Sequence, residues 1–195
     1  MFSRMTVAML VIAVLTSSAT AEEKAKDSSI GGNIRLLLHG TNGDGPIVLS
    51  GWLIGANLTQ DPNKWFVAVG PQLNGKNWWA DFNAGALITK TSIAFVPEIR
   101  AAYTGEKYSF FTNLQWIDPG HSTQGGYLFL QANRIVVKDI RLGLETENTW
   151  KQHGTKALSV GPQLVFSFGK VTYTVSYQFA SQGKRHLWIR TALSF

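Results

Sequence analysis

Beyond residue 30, apolar and polar residues alternate along almost the whole chain, and this period of two limits the possible folds more than any other feature. From Val171 to Ala180 the odd positions are large and apolar, whereas the even positions are small or polar. The flanking runs, 158–168 and 186–195, repeat the pattern. Because successive side chains of a strand point to opposite faces, the alternation predicts strands with two different faces.

Clusters of turn-forming residues divide the chain into segments of similar length. Examples are Asn42–Pro46, Asp61–Asn63 and Asn74–Lys76, which are rich in Gly, Asn, Asp and Pro. No stretch has a helical period, so the sequence predicts an all-β chain. The candidate strands lie near 30–40, 47–58, 64–74, 77–89, 91–103, 106–117, 125–136, 138–149, 158–168, 171–180 and 186–195.

Composition removes several classes of protein. With 45% hydrophobic and only 15% charged residues, the chain is too apolar to be disordered. The absence of Cys excludes a disulfide framework, a thiolate metal site and a cysteine nucleophile. The four His are far apart in sequence and form no His-x-His motif, so we expect no metal site and no cofactor.

The first residues have the features of a secretory signal peptide. Arg4 precedes a short apolar run, Val7–Leu15, and Ala19–Ala21 forms a small-x-small cleavage site. We therefore interpret residues 1–21 as a signal peptide, 22–46 as an N-terminal segment that could include a first strand, and 47–195 as the barrel domain. The apolar run is shorter than the roughly 18 residues of a membrane-spanning helix.

Two all-β folds compete, a soluble barrel and a transmembrane barrel that turns its apolar face outward. The segments have the 10 to 12 residues that a tilted membrane strand needs, and glycines that suit a crowded lumen fall on the polar face. These glycines are predicted at 51, 55, 70, 85, 143 and 161. Aromatic residues fall near strand ends of the apolar face, as in the aromatic girdles of membrane barrels: Trp52, Trp65, Trp78, Tyr103, Tyr108, Trp116, Tyr173 and Phe195.

The last strand, Leu187–Phe195, alternates up to a terminal Phe. It resembles the C-terminal signal of bacterial outer-membrane β-barrel proteins, and the other hairpins resemble that class in their general pattern. The resemblance implies an antiparallel up-and-down barrel that the barrel-assembly machinery inserts into the outer membrane of a Gram-negative bacterium. Such barrels have an even number of strands. We therefore expect about ten strands, omitting 30–40 as the weakest, with eight or twelve as alternatives.

Charged residues on the polar face are the candidate functional residues. Four acids and four Arg are predicted to form ion pairs in the lumen, because an unpaired buried charge is costly: Arg35, Asp81, Glu98, Arg100, Arg141, Glu145, Glu147 and Arg190. Arg141 and Arg100 are the expected partners of Glu145 and Glu147. If residues 30–40 form the first strand, barrel closure is expected to bring His39 near His186 at the outer rim. Large aromatic residues are also predicted inside, so the lumen should be narrow or plugged: Phe66, Trp79, Phe111 and Trp188.

The sequence thus predicts a structural outer-membrane barrel or a narrow, porin-like channel for small solutes. A barrel enzyme that acylates or deacylates lipid A is the alternative, although the His residues lie in no recognisable nucleophile motif. With the C-terminus in the periplasm, the turns at 105–106, 137–138 and 169–170 face the periplasm, whereas those near 118–125, 150–154 and 182–184 face outward. Outer basic residues are expected to contact lipopolysaccharide phosphates rather than nucleic acid: Lys151, Lys156, Lys184 and Arg185. The oligomeric state cannot be read from the sequence.

Overall fold

The computed structural model describes residues 30–117, 125–151 and 157–195, and the predicted signal peptide lies outside them. The described chain is almost entirely β-strand, with a short 3₁₀ helix at Ser181–Gly183. Within these residues, no helix is long and apolar enough to cross a membrane. The strands are β1 Ile30–Asn42, β2 Ile47–Asn57, β3 Asp61–Asn74, β4 Trp78–Ile88, β5 Ile93–Phe95, β6 Glu98–Thr104, β7 Tyr108–Ile117, β8 Gly125–Val137, β9 Ile140–Lys151, β10 Ala157–Phe168, β11 Val171–Ala180 and β12 Arg185–Ser194.

Eleven of these strands form a closed barrel. Each pairs with its neighbours in the order β1, β2, β3, β4, β6, β7, β8, β9, β10, β11 and β12, and β12 returns to β1. All neighbouring pairs in this ring are antiparallel except the last, because β1 and β12 run parallel from the pair Ile30 and Arg185 to the pair His39 and Ser194. The seam between β1 and β12 therefore closes the sheet.

The strand β5 lies outside this ring and pairs only with β4. Both β5 and β6 pair with β4, one after the other along its length. β6 pairs with Trp78–Asn83 and β5 pairs with Ala86–Ile88. Pro97 separates β5 from β6 and has no N–H to donate to a ladder. Its carbonyl still accepts the N–H of Trp116 at 3.0 Å, so the interruption is local.

The prediction of ten strands is wrong, whereas the all-β barrel is confirmed. The segment 30–40, which the expected even number leaves out, forms β1 and supplies one side of the seam. The requirement for an even number holds when the first and last strands are antiparallel. Parallel closure removes that requirement. The eleven segments predicted from the alternation correspond to the eleven strands of the ring, and the segment 91–103 spans both β5 and β6.

The barrel has two different ends. We call "turn end" the end with the short connections 43–46, 75–77, 105–107, 138–139 and 169–170, together with Phe195. We call "loop end" the opposite one, where β1, β8 and β10 begin and where β7 and β9 end. The three turns predicted to share one side, at 105–106, 137–138 and 169–170, all belong to the turn end.

The two faces of the wall separate polar from apolar side chains. Glu98 and Arg100 are buried inside, whereas the intervening Ile99 is 44% exposed outside. In β2 the prediction is wrong, because Trp52 is buried inside, which turns Gly51 and Gly55 outward. Both faces of β2 contain apolar residues, so alternation alone could not assign them. Trp52 points inward because its indole donates a hydrogen bond to a buried carboxylate, and this contact determines which face of β2 is the inner one.

Two copies of the sequence Val-Gly-Pro-Gln-Leu, at 69–73 and 160–164, have the same structural role. Gly70 and Gly161 face the lumen, where a Cβ would lie 2.0 Å from the carbonyl oxygen of Phe82 and 1.8 Å from that of Tyr177. On one side of each copy, the Gly and the Pro have no paired residue in the neighbouring strand. This gap lies between β3 and β4 in the first copy and between β10 and β11 in the second. The repeat therefore allows a neighbouring strand to lean into the lumen, and glycine is required there because any side chain would clash with backbone.

We expect the parallel seam to be captured by a disulfide between Leu38→Cys and Leu193→Cys. These residues are paired across the seam on the outer face, and the chain contains no other Cys. Paired residues of adjacent strands lie within the Cα separation that a disulfide tolerates. The control pair, Leu38→Cys with Leu187→Cys, is offset by six residues, about 20 Å along the strand, and should stay reduced. Oxidation followed by denaturing gel electrophoresis measures both, and equal cross-linking would contradict the register.

Candidate functional site

Polar and charged side chains converge in the barrel interior, which makes the lumen the candidate site. The eight charged residues selected from the sequence all lie on inward faces of their strands. Six of them form the four ion pairs in the described part of the chain. Arg141 and Asp81 have no ion-pair partner among the described residues.

Glu145 on β9 is the centre of the larger network, which we call the Glu145 network. Glu145 is only 1% exposed, and its carboxylate accepts two hydrogen bonds from Arg190 Nη1, at 2.7 and 2.8 Å. Ser176 Oγ donates to it at 2.5 Å, and the Gln178 amide donates to the same oxygen. Gln131 donates to the other oxygen at 3.3 Å. Charged and neutral donors from three strands thus compensate the burial of one negative charge.

Glu147, two residues along β9, extends the network across the lumen. Arg35 Nη2 on β1 donates to Glu147 Oε1 at 2.7 Å, and Arg190 Nη2 donates to the other oxygen at 3.1 Å. Tyr127 OH donates to Glu147 at 3.0 Å and accepts from Arg35 Nη1 at 3.2 Å. The two Arg and two Glu side chains therefore form one neutral cluster that links the seam to the opposite wall.

A second cluster surrounds Glu98 and Arg100 on β6. Arg100 Nε and Nη2 donate to the two oxygens of Glu98, both at 2.8 Å. Asn83 donates to one Glu98 oxygen at 3.1 Å and Gln115 donates to the other at 2.9 Å. The guanidinium also lies over the Trp52 ring, 4.1 Å from its centroid. Every side chain of this cluster belongs to β2, β4, β6 or β7, so it ties one side of the barrel together.

Asp81 is fully buried and accepts hydrogen bonds from neutral donors. Ser50 Oγ donates at 2.9 Å and the Trp52 indole donates at 2.6 Å. His39 Nε2 lies 3.2 Å from Ser50 Oγ, and its ring stacks on Trp52 with centroids 4.0 Å apart. No sequence pattern indicates this grouping, because His39, Ser50 and Asp81 come from three strands.

His39, Ser50 and Asp81 do not have the order of a nucleophile activated by a base. In a hydrolytic triad the His lies between the nucleophile and the acid. Here Ser50 lies in the middle and donates its proton to Asp81, so His39 does not receive it. Ser50 is also fully buried, and an ester could not reach its oxygen. The arrangement holds Asp81 in place.

Aromatic rings fill the space between the two clusters. His39 and Trp52 contact Trp79, Trp79 contacts Phe111, and Phe111 contacts Phe129, with centroid separations of 5.8 to 6.2 Å. We call this row the aromatic belt. Arg190 of the Glu145 network lies 5.1 Å from the Phe129 centroid, so the belt joins both clusters. An apolar cluster packs beside it and contains Trp52, Ile54, Phe66, Ala68 and Val96.

The two rim histidines do not meet. Parallel pairing puts His39 beside Ser194 and His186 beside Gly31, so they lie at opposite ends of the seam. The prediction that closure brings His39 near His186 is therefore wrong. It assumed that the first and last strands run in opposite directions, in which case residues near the end of one would face the start of the other.

The predicted partners of the two β9 acids are also wrong. Glu145 and Glu147 bind Arg190 and Arg35 rather than Arg141 and Arg100. Arg141 instead donates to Ser167 Oγ at 2.7 Å. The sequence does not single out Tyr127 and Gln131, although both stand at inward positions of β8. Their only signal was the alternation of that strand, which does not distinguish a network member from any other lumen residue.

Neither metal chemistry nor homology identifies the site. Among the residues that the structure describes, no group of three or more His, Asp or Glu is arranged to hold a metal ion. The chain matches no protein-family model, and no curated protein matches it significantly. The geometry of the interior is therefore the basis for a functional assignment.

We expect Glu145→Gln to destabilise the protein by about 3–5 kcal/mol, because it leaves a buried Arg190 with a single acidic partner. Arg141→Gln is the control, since it removes an inward charge with no acidic partner in the described chain, and should cost less than about 1 kcal/mol. Urea unfolding followed by tryptophan fluorescence measures both. Equal losses of unfolding free energy would show that Glu145 does not organise the interior.

Proposed function

We propose that this protein is an integral β-barrel of the outer membrane of a Gram-negative bacterium, with a lumen that its own side chains narrow to at most a path for small solutes. The observation that carries the proposal is the reversed polarity of the wall. Within the described residues, sixteen polar or charged residues are buried against eleven hydrophobic ones. A water-soluble barrel has the opposite arrangement, with an apolar core.

The outer face supports this proposal. Among the side chains that the structure describes, large hydrophobic ones are exposed on nine of the eleven strands of the ring, all except β1 and β12, and they include Leu49 at 55%, Leu114 at 44% and Leu144 at 58%. Monomeric soluble proteins rarely expose contiguous apolar patches beyond a few hundred Å². Hydrocarbon removes the cost of exposing these side chains, and the closed ring leaves few backbone groups without a partner in that solvent.

Aromatic residues on the outer face occur near both ends of the barrel, as in the girdles of membrane barrels. Near the turn end, Trp78, Tyr103 and Tyr108 are exposed by 44 to 51%. Near the loop end, Trp116 and Phe179 are exposed by 50 and 53%. Amphipathic rings favour the level of the lipid headgroups. Together with Phe195 at the turn end, they support a periplasmic turn end and an external loop end, where Lys184 and Arg185 face lipopolysaccharide.

The filled interior supports a narrow lumen. Arg100, Glu145 and Gln178 are each about 1% exposed, and the aromatic belt spans the space between the two polar clusters. Side chains can fill a barrel of this size. A role in lipid modification has less support, since the one His, Ser and Asp grouping in the described lumen has the wrong order for catalysis.

We expect the chain without residues 1–21 to refold only in detergent or lipid. The folded barrel should migrate faster than the boiled protein on a gel, because a compact barrel resists unfolding by the detergent of the gel. A monodisperse, folded protein in plain buffer would overturn the membrane assignment, since the apolar wall would then be covered in another way.

In planar bilayers, we expect the wild-type barrel to show at most a small conductance. Replacing two belt residues, Trp79→Ala and Phe111→Ala, should raise the conductance because it removes the rings that fill the middle of the lumen. Trp116→Ala with Phe110→Ala is the matched control, since both of these rings are exposed on the outer face. A large wild-type conductance, or an equal rise in the control, would contradict the narrow lumen.

A further inference from the structure

A hollow on the outer wall near the turn end is lined by small side chains among large ones. Ala101, Thr112 and Ala132 point outward from three adjacent strands. Around them stand Tyr103, Phe110 and Leu144, which project further from the sheet. The registers place Phe110 beside Ala132 and Ala132 beside Leu144, so the small residues interrupt a row of large ones.

The hollow is large enough for part of a flexible apolar molecule. Its volume is about 540 Å³, within the range of small-molecule sites. The side chains that project into it are almost entirely hydrocarbon or aromatic. Because the hollow is open along the outer face, a ligand can enter from the side of the barrel, and an acyl chain is the apolar group that fits a groove of this kind in a membrane wall.

The edge of the hollow at the turn end is positively charged. Arg134 follows Ala132 by two residues on the same outer face, about 7 Å further toward the turn end. It is exposed, forms no ion pair within the described chain, and lies opposite Tyr108 on β7. Lys76, Lys107 and Lys138 occupy the neighbouring turns, and Glu106 and Asp139 reduce the four positive charges to a net +2.

An apolar groove that ends at a cationic edge matches the two parts of a phospholipid. We propose that the outer wall formed by β6 to β9 binds one anionic phospholipid, with an acyl chain over Ala101, Thr112 and Ala132 and the phosphate at Arg134. The proposal rests on the membrane assignment above. The site lies at the turn end, so its ligand belongs to the leaflet facing the periplasm. Phospholipid is also the partner that satisfies an outward Arg on an otherwise apolar wall.

Native mass spectrometry of the folded barrel in detergent, with added phosphatidylglycerol or phosphatidylcholine, tests this site. We expect one phosphatidylglycerol to be retained in preference to phosphatidylcholine. Ala132→Phe fills the hollow and should lower retention of both lipids. Arg134→Gln should lower retention of phosphatidylglycerol alone by about fivefold, the effect of one basic residue near a lipid phosphate.

Two control variants change equivalent features elsewhere on the wall. Ala84→Phe enlarges an exposed outward alanine on β4, and Lys170→Gln removes an exposed positive charge in the turn between β10 and β11. Both should retain lipid like the wild type. Equal effects of Ala132→Phe and Ala84→Phe, or of Arg134→Gln and Lys170→Gln, would overturn the site. A dimer that Ala132→Phe dissociates would also overturn it, in favour of a second copy of the chain.

Failure of the site and failure of the proposed function give different results. Gel mobility shows whether the barrel folds in detergent before any lipid is added. A barrel that does not fold there refutes the membrane assignment and the lipid site together. A folded barrel that retains neither lipid above the level of the two control variants refutes the site alone.

Discussion

The rest of the structure depends on one constraint, which is that each buried carboxylate needs hydrogen-bond donors beside it. Glu145 and Glu147 lie side by side inside the ring, where an unpaired charge is costly. Their donors come from β1, β8, β11 and β12, so a carboxylate pair on one strand determines what four other strands must present. Arg35 and Glu147 are 112 residues apart in sequence, and their ion pair crosses the lumen rather than following the wall.

The same constraint explains why the interior is crowded. A network that spans the lumen needs opposite walls within reach of one Arg side chain, which limits the width of the barrel. The glycines at 70, 143 and 161 allow neighbouring backbones to lean inward at these levels, since a Cβ at each would lie within about 2 Å of a carbonyl oxygen. The aromatic belt then occupies the space between the polar clusters. Charge pairing, glycine placement and aromatic packing together produce this crowded interior.

Alternation predicted the strands well because it is a local property. Each segment carried its own pattern of period two, and the inward faces of β6, β9, β11 and β12 follow from it directly. It failed in β2, where Val48, Trp52 and Ile54 make the inner face as apolar as the outer one. There only a contact with another strand, from Trp52 to Asp81, distinguishes the faces.

Strand number and charge partners required knowledge of how the sheet closes. The sequence contains no local signal for a parallel seam, and the rule of an even strand number excludes β1 although its own alternation supports a strand there. Antiparallel closure predicts that His39 and His186 meet, whereas the parallel register puts them at opposite ends of the seam. The partners of Glu145 and Glu147 lie across the lumen on β12 and β1, and no local pattern in β9 points to them.

That seam also determines where the chain leaves the barrel. Because β1 and β12 run in the same direction, residue 30 and Phe195 emerge from opposite mouths. Two labels, one at residue 30 and one at Phe195, are therefore separated by the height of the wall. In the proposed membrane assignment, one molecule labelled at both positions carries a label on each side of the membrane.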